Sequence, residues 1–200
     1  MSRIYRVASG LVLVVLGTFA VLYSMRVAKA QRIYYAVKYG AFSDAVPNVI
    51  ASRCEAAHAL YPHHYFLCIH AVGRLLPVAY KAEQGERDAA LLYVNQWCER
   101  GLALNPYHWR LHRAKTRLCA EESPKAAAEY WEAFVDWQFW SPENLAFLVK
   151  CYARAGRFAE ASETLSLIEG RPEHRSASAV WRAALAADMR PPAQENATTP

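Results

Sequence analysis

The side chains of this sequence with the most obvious potential for chemistry are its seven histidines and five cysteines. Cys54 and His58 are four residues apart, as are His108 and His112, so each pair would lie on one face of a helix. A metal ion needs several such ligands to converge at about 2.0–2.3 Å. Each pair supplies only two of them, and the sequence near each pair offers no second pair with matching spacing. The spacing therefore favours histidines that are packed or solvated on helices, and we expect no metal site.

The cysteines follow no recognisable redox or disulfide pattern. Their spacing is irregular, no CxxC occurs, and an odd number cannot pair completely within one chain. We expect small buried hydrophobes on helices at Cys54, Cys68, Cys98, Cys119 and Cys151.

No arrangement of catalytic residues stands out in the rest of the sequence. There is no GxSxG motif and no glycine-rich loop that could cradle a phosphate, since the chain has only eight glycines. The carboxylates of Glu160 and Glu163 are of the kind found on the solvated outer face of a helix. We therefore expect no enzyme activity, no cofactor and no small-molecule substrate.

One apolar run near the start has the length of a membrane span. Residues 7–25 read VASGLVLVVLGTFAVLYSM without a charge, and 19 helical residues cover about 28 Å, close to the ~30 Å hydrocarbon core of a bilayer. Basic residues stand at both ends of the run: Arg3, Arg6, Arg26 and Lys29. The pattern predicts a membrane anchor over residues 1–30.

A cleaved signal peptide is the alternative interpretation of this segment. Ala28-Lys29-Ala30 fits the small-x-small cleavage pattern. The apolar run is longer than a signal-peptide core, however, and Arg26 and Lys29 lie between it and the cleavage position. These features favour an anchor that the mature protein retains.

The basic residues are concentrated around this anchor. Residues 1–40 hold six of the 23 Lys and Arg residues and no acidic residue, which leaves 17 basic against 18 acidic groups in the remainder. No basic excess is left for a nucleic-acid surface, so we expect no nucleic-acid partner. The orientation stays open, because the two flanks are nearly balanced, the free cysteines favour a cytoplasmic domain and the early arginines favour an exported one.

The anchor continues towards the soluble part without a helix breaker. No Gly or Pro occurs between Thr18 and Tyr39, so we expect the membrane helix to become the first helix of the soluble domain. A turn with Gly40, Phe42 and Ala45 should follow, and Pro62 should close this first helix pair.

The remaining sequence is repetitive, most clearly over residues 142–175. Leu145, Leu148 and Tyr152 mark one face of a first helix, and Gly156 allows a tight turn. The facing side of a second helix, ended by Pro172, is marked by Phe158, Ala161, Leu165 and Ile168.

This unit resembles the 34-residue tetratricopeptide repeat (TPR), a family of stacked helix hairpins. A second match covers 108–141, with Ser123 as N-cap and Pro124 in the following first turn. Its core marks are Leu111, Ala114, Leu118, Ala127, Trp131 and Phe134.

A looser unit has helices over about 63–84 and 86–104, a turn at Gly85 and a kink at Pro77. Its second helix carries the core marks Ala90, Val94, Trp97 and Leu102. The expected fold is all-α, with the N-terminal transmembrane helix followed by an α-solenoid of about three to four TPR-like hairpins over 31–188. Residues 173–188 form its capping helix, and a disordered tail covers 189–200.

An aromatic cluster ends the second helix of the 108–141 unit: Tyr130, Trp131, Phe134, Trp137, Phe139 and Trp140. Trp131 and Phe134 are expected core residues. The other rings either seal the junction with the next unit or form an exposed contact for a partner or for lipid.

The TPR resemblance implies a binding groove lined by the first helices of the units. By that register the groove residues are Trp109, His112, Thr116, Glu143, Lys150 and Arg154, with Ala146 and Ala153 beside them. The implied function is a membrane-anchored scaffold that docks proteins or peptides at the membrane surface. The alternative is a structural or assembly subunit of a larger membrane complex.

A weaker resemblance concerns residues 10–110. A membrane helix, a basic flank, a first TPR turn and a Tyr-Pro or Asn-Pro closure in this order are similar to the C-terminal part of O-antigen ligase and polymerase family proteins. The resemblance implies a single-pass protein of the bacterial inner membrane with a periplasmic TPR domain, linked to cell-envelope polysaccharide assembly.

Overall fold

Helices form all the regular secondary structure of the residues that this computed structural model describes, which are 3–40, 46–137 and 141–189. The predicted all-α class is therefore confirmed for that part of the chain. The helices are α1 Arg3–Lys38, α2 Pro47–Leu60, α3 Tyr65–Ala79, α4 Gln84–Leu104, α5 Trp109–Glu122, α6 Pro124–Val135, α7 Pro142–Arg154, α8 Phe158–Ser166 and α9 Pro172–Asp188.

The first helix, α1, has two parts with different surroundings. Its 36 residues run without a break for about 54 Å. Residues 8–25 are solvent-exposed and largely apolar, with Leu11 68% and Phe19 69% exposed. Burial begins at Ala30 and recurs at Tyr34 and Val37, which lie on one helix face. The expected continuation of the apolar helix into the soluble part is confirmed, and the helix is long and apolar enough to span a membrane.

The chain forms two compact units, and the first ends at Ala114. Within unit 1, α1 packs against α2 and α3, α2 against α3 and α4, and α3 against α4. The helices α1 and α3 run parallel, because Gln31 contacts His64 near one end and Val37 contacts Arg74 near the other. Contacts between consecutive helices and between alternate helices are typical of a stack of hairpins.

The helices α3 and α4 approach closely at Gly101. A Cβ atom built there would lie 3.0 Å from the Cβ of Cys68 and 2.5 Å from a methyl carbon of Leu111. Gly101 and Cys98 are therefore the buried residues at this crossing, whereas the predicted core residue Leu102 is only half-buried. Hydrophobicity alone favours Leu102 as the buried residue. Gly101 is buried instead, because the two helices are so close at this crossing that no side chain fits between them.

The turn between α3 and α4 lies earlier than the sequence suggested. Helix α3 ends at Ala79 instead of residue 84, and Pro77 lies in its last turn. Gly85 is the second residue of α4 and does not have a positive φ angle, so the predicted glycine turn is wrong. The turn is formed instead by residues 80–83, where the amide of Ala82 donates to the carbonyl of Val78.

Unit 2 begins at Lys115 and has its own apolar core. Helix α7 packs against α6, α8 and α9, which leaves eight of its thirteen residues buried. The Ser123 hydroxyl caps α6 by accepting a 3.0 Å hydrogen bond from the amide of Ala126, as predicted. Of the predicted core marks, Ala127, Trp131, Phe134, Leu145, Leu148, Tyr152, Ala161, Leu165 and Ile168 are buried, and Leu118 and Phe158 are half-buried.

Gly156 ends α7 in the predicted tight turn. Its φ angle is +72°, and the amides of Gly156 and Arg157 donate to the carbonyls of Ala153 and Tyr152 respectively. This pair of hydrogen bonds is the Schellman motif, in which a left-handed residue satisfies the last carbonyls of a helix. The helix hairpin α7–α8 therefore depends on a backbone conformation that glycine adopts most easily.

Pro172 begins a helix instead of ending one, so its predicted role as a helix stop is wrong. Helix α8 ends at Ser166, and a turn containing Gly170 with φ +77° follows. Pro172 occupies the first turn of α9, where its missing amide leaves no hydrogen bond unmade. The last helix itself, predicted over 173–188, is confirmed as α9.

We predict that Gly156→Val lowers the free energy of unfolding by roughly 1–2 kcal/mol, because a β-branched residue resists a positive φ angle. No atom lies within 4 Å of a Cβ at this position, so the backbone conformation is the cause. Thermal unfolding of the purified chain, followed by circular dichroism, measures the effect. Gly73→Ala in the middle of α3, where a Cβ also meets no atom, should instead be neutral or stabilising. An unchanged melting temperature for Gly156→Val would contradict the assigned role of this turn.

Candidate functional site

Trp109 stands at the start of α5 with 42% of its surface exposed. The guanidinium carbons of Arg110 and Arg113 lie 5.3 Å and 5.8 Å from the centre of its rings, within the range of cation–π attraction. The exposed indole is therefore flanked by two cationic side chains on its own helix. This arrangement offers an apolar anchor together with positive charge to a ligand in unit 1.

The other predicted groove residues of α5, His112 and Thr116, are hydrogen-bonded or buried within the protein. His112 lies three residues after Trp109, and its Nε2 is 2.7 Å from the carbonyl oxygen of Pro106 in the preceding turn. Burial is the main cause that lowers the pKa of His112. Thr116 is only 2% exposed, so its hydroxyl is not offered to a partner. Of the three α5 residues, Trp109 is the one with a large accessible surface.

In unit 2, three predicted groove residues share α7. Lys150 donates a 2.8 Å hydrogen bond to the Ser176 hydroxyl on α9, so the last helix covers part of this face. Glu143 accepts a 3.0 Å hydrogen bond from Ser141 at the helix start and is exposed, as is Arg154 at the helix end.

The accessible face of α7 is thus charged and narrow. The expected groove residues Ala146 and Ala153 are only 5% and 3% exposed, so they are buried within unit 2 and cannot line a groove. What α7 offers to a ligand is two cations, Lys150 and Arg154, one helical turn apart, with Glu143 two turns before Lys150. Trp109 and His112 belong to unit 1 and the other four predicted residues to unit 2.

The cysteines behave as buried apolar residues, as predicted, except that Cys119 is half-buried. Burial raises the pKa of Cys54 to about 12 and that of Cys68 to about 11. Thiols with such pKa values stay protonated at neutral pH and are poor nucleophiles and poor metal ligands. Within the described residues, no three His, Cys, Asp or Glu side chains lie together in a way that could hold a metal ion.

A polar contact joins α1 to the start of α3. His64 is 9% exposed and is the N-cap of α3, because its Nδ1 accepts a 3.3 Å hydrogen bond from the amide of Leu67. Its Nε2 therefore carries the proton and donates a 2.8 Å hydrogen bond to the side-chain oxygen of Gln31. The ring of Tyr34 lies 4.5 Å from the imidazole. A neutral imidazole thus caps α3 and bonds a side chain of α1 at the same time.

The other end of this junction is made by Arg74 of α3. Its Nε donates a 3.1 Å hydrogen bond to the carbonyl oxygen of Val37, one of the last carbonyls of α1. Its guanidinium lies over Gly40, whose φ angle is +82°, so a side chain at residue 40 would overlap it. The sequence did not reveal this role for Arg74, and the only available signal for His64 was its place directly before an apolar helix.

The aromatic cluster at the end of α6 divides into buried and exposed rings. Trp131 and Phe134 lie in the core of unit 2, as predicted, and the Trp131 indole donates a 2.9 Å hydrogen bond to the carbonyl of Asn144. Trp137 is 62% exposed. Phe139 and Trp140 lie outside the described residues, so the choice between a sealed junction and an exposed contact rests on Trp137, which favours an exposed one.

Comparisons with protein families, with curated proteins and with solved structures find no match for this chain. The all-α class and the apolar N-terminal helix follow from the structure itself. The resemblance to the TPR family, and with it the binding groove, stays an expectation that rests on the residues of the repeats.

We predict that the protein loses stability as the pH falls below about 6.5, the ordinary pKa of histidine. Burial lowers the pKa values of His58, His64, His70, His108 and His112 in the folded chain. The unfolded chain therefore binds protons at a higher pH than the folded chain does, so the free energy of unfolding falls as the pH is lowered through this range. Thermal unfolding of the chain at a series of pH values between neutral and about 5 measures the dependence.

His64 should contribute to this dependence through its N-cap. Asn is a good N-cap residue that does not titrate, so His64→Asn should make the dependence of melting temperature on pH less steep. His63→Asn, at the exposed neighbouring position, is the matched control and should change the dependence less than His64→Asn does. Equal slopes in the His64→Asn variant and the parent would contradict the assigned role of the neutral imidazole.

Proposed function

We propose that this protein is a membrane-anchored scaffold of TPR-like helix hairpins that docks a protein or peptide at the membrane surface, and that it is not an enzyme. The observation that carries the anchored part of the proposal is α1. One unbroken helix holds an exposed apolar stretch and, from Ala30 onwards, a face packed into unit 1. An apolar surface of that length has no partner in the described chain, and a bilayer would cover it.

The docking part of the proposal is supported by the accessible face of α7 in unit 2. Lys150 and Arg154 offer cations there. Such groups suit an acidic or carboxylate-bearing peptide. His112 supports the turn before α5 and does not itself contact the ligand in this proposal.

The α7 surface can be tested by reversing its charge. We expect Lys150→Glu combined with Arg154→Glu to reduce strongly the recovery of crosslinked partners from native membranes, because two attractive charges become repulsive. Quantitative mass spectrometry of the recovered proteins measures the change. Circular dichroism checks that the loss of the Lys150–Ser176 hydrogen bond leaves the fold intact.

The matched control lies on the opposite side of the same hairpin. Glu163 of α8 is exposed, and Glu163→Lys should leave the recovery unchanged. Glu160 is less suitable as a control, because it pairs with Arg157 at 2.9 Å. If Glu163→Lys abolishes recovery while the double variant retains it, partners bind the outer face formed by second helices such as α8, and the proposed groove is wrong.

The second candidate function is an assembly subunit of a larger membrane complex. It is favoured by large apolar side chains that stand exposed in unit 2, namely Trp137 at 62% and Leu167 at 68%. A permanent partner would bury such residues. If the full chain, purified in detergent, aggregates unless it is produced together with neighbouring proteins, the subunit function gains over transient docking.

We propose that the mature protein retains residues 1–30 in a bacterial inner membrane, with the helical units in the periplasm and a role in cell-envelope polysaccharide assembly. N-terminal sequencing of the mature protein should find the first residues of the sequence. A mature chain that starts at Gln31 would show that the segment is a cleaved signal. Reporter fusions after residue 189 determine the side of the membrane independently of that result.

A further inference from the structure

We propose that the end of unit 1 nearest the exposed apolar part of α1 is a docking face for anionic lipid headgroups. This face, the anchor-proximal rim, comprises residues 26–34, 58–66 and 101–113. The proposal rests on the membrane anchor of the proposed function, and it adds a second, independent contact with the bilayer.

The first turn of the rim is placed by the contact between α1 and α3. The His64 imidazole bonds the side chain of Gln31 at 2.8 Å, so the turn between α2 and α3 lies level with Gln31. Gln31 comes six residues after Met25, where the uncharged run ends, and six helical residues rise about 9 Å. The headgroup layer on each side of the hydrocarbon core is about 5–8 Å thick. The turn therefore lies at the level of the headgroups or just outside it.

The second turn of the rim, between α4 and α5, lies at the same end of unit 1. Near the start of α3, Cys68 meets Gly101 of α4, since a Cβ at residue 101 would be 3.0 Å from that of Cys68. The rings of Tyr65 and His108 are 5.9 Å apart, which places the residue before α5 beside the first residue of α3. Three segments distant in sequence thus share one end of the helix stack.

The rim carries positive charge without any acidic residue. Its basic residues are Arg26, Lys29, Arg32, Arg110 and Arg113. The same three segments contain no Asp or Glu, although the chain has 18. Residues 74–88, at the opposite end of α3 and α4, hold three basic and three acidic residues. The end of unit 1 with the excess of basic residues is thus the end next to the apolar part of α1, and anionic lipids attract Lys and Arg.

The exposed apolar side chains of the rim suit the same surface. Phe66 is 48%, Leu104 39%, Tyr107 63% and Trp109 42% exposed. Tyr and Trp are enriched where a protein meets the headgroup layer, because one part of each ring is apolar and another part is polar. Exposed tyrosines also occur at the opposite end, for example Tyr39 at 74%, so the absence of acidic residues is what distinguishes the rim.

Hydrogen–deuterium exchange of the full chain in lipid nanodiscs tests the proposal. Discs of phosphatidylcholine alone are compared with discs that also contain phosphatidylglycerol. We expect the backbone amides of residues 61–66 and 104–109 to exchange several-fold more slowly in the anionic discs. Added salt should remove most of this difference, because it screens surface charges. Equal exchange of these residues in both kinds of disc would overturn the proposal.

A pair of charge variants tests which end of unit 1 is responsible. Arg110 is exposed in the rim, and Arg110→Glu should abolish most of the difference between the two kinds of disc. Lys81 is exposed in the opposite turn, and Lys81→Glu should preserve the difference. If both variants behave alike, the rim is not the docking face. Loss of the parent chain from discs of both compositions would instead refute the anchor of the proposed function.

Discussion

The organisation of unit 1 depends on the hydrogen bonding of one helix. A continuous helix satisfies its backbone amides and carbonyls internally, apart from those at its two ends. In α1 the same ladder of hydrogen bonds continues beyond the apolar run, and burial begins at Ala30 and recurs at Tyr34 and Val37. Because α1 has no break, its packed part and its apolar part share one helix axis. The helices α2 and α3 pack against the C-terminal part of α1, so their orientation relative to the apolar part is set by that axis.

Two polar side chains of α3 set the register of this assembly. His64 bonds Gln31 near the point where burial starts, and Arg74 bonds the carbonyl of Val37 near the end of α1. Both side chains also satisfy helix ends, since His64 caps α3 and Arg74 covers the last turn of α1. Apolar packing alone would tolerate a shift along the helix axis, whereas directional bonds at both ends of the contact do not. The neutral state of His64 is therefore part of the structure.

Unit 2 uses a different arrangement around its tight turn. Arg157 follows Gly156 and bonds both oxygens of Glu132, at 2.9 Å and 3.4 Å, while its guanidinium lies 4.3 Å from the ring centre of Tyr152. The hydrogen bond from Arg157 is the main cause that lowers the pKa of Glu132. These groups are partly exposed, so the ion pair adds little free energy compared with the apolar core. Its effect is geometric, because one side chain holds the turn against α6 and α7.

Features that depend on neighbouring residues along the chain could be predicted from their local spacing. The apolar run, the unbroken continuation of α1, the Ser123 cap, the Gly156 turn and the core faces of α6 and α7 all follow from local spacing, and local spacing is what a helix uses. The proposed ligand surface was only partly accessible to such reasoning, because the register of a repeat does not reveal which of its positions a later helix covers.

Features that depend on distant segments became apparent only in the folded chain. Gly101 is buried instead of Leu102 because α3 comes close at that point. Thr116 is buried although the repeat register assigned it to the groove, and α9 reaches the neighbourhood of Lys150 through Ser176. Nothing in the local sequence distinguishes the role of His64 from that of the nearby histidines, because its partner Gln31 lies 33 residues earlier. In each case the environment of a residue is set by elements far away in sequence, so residue types and spacing could not specify it.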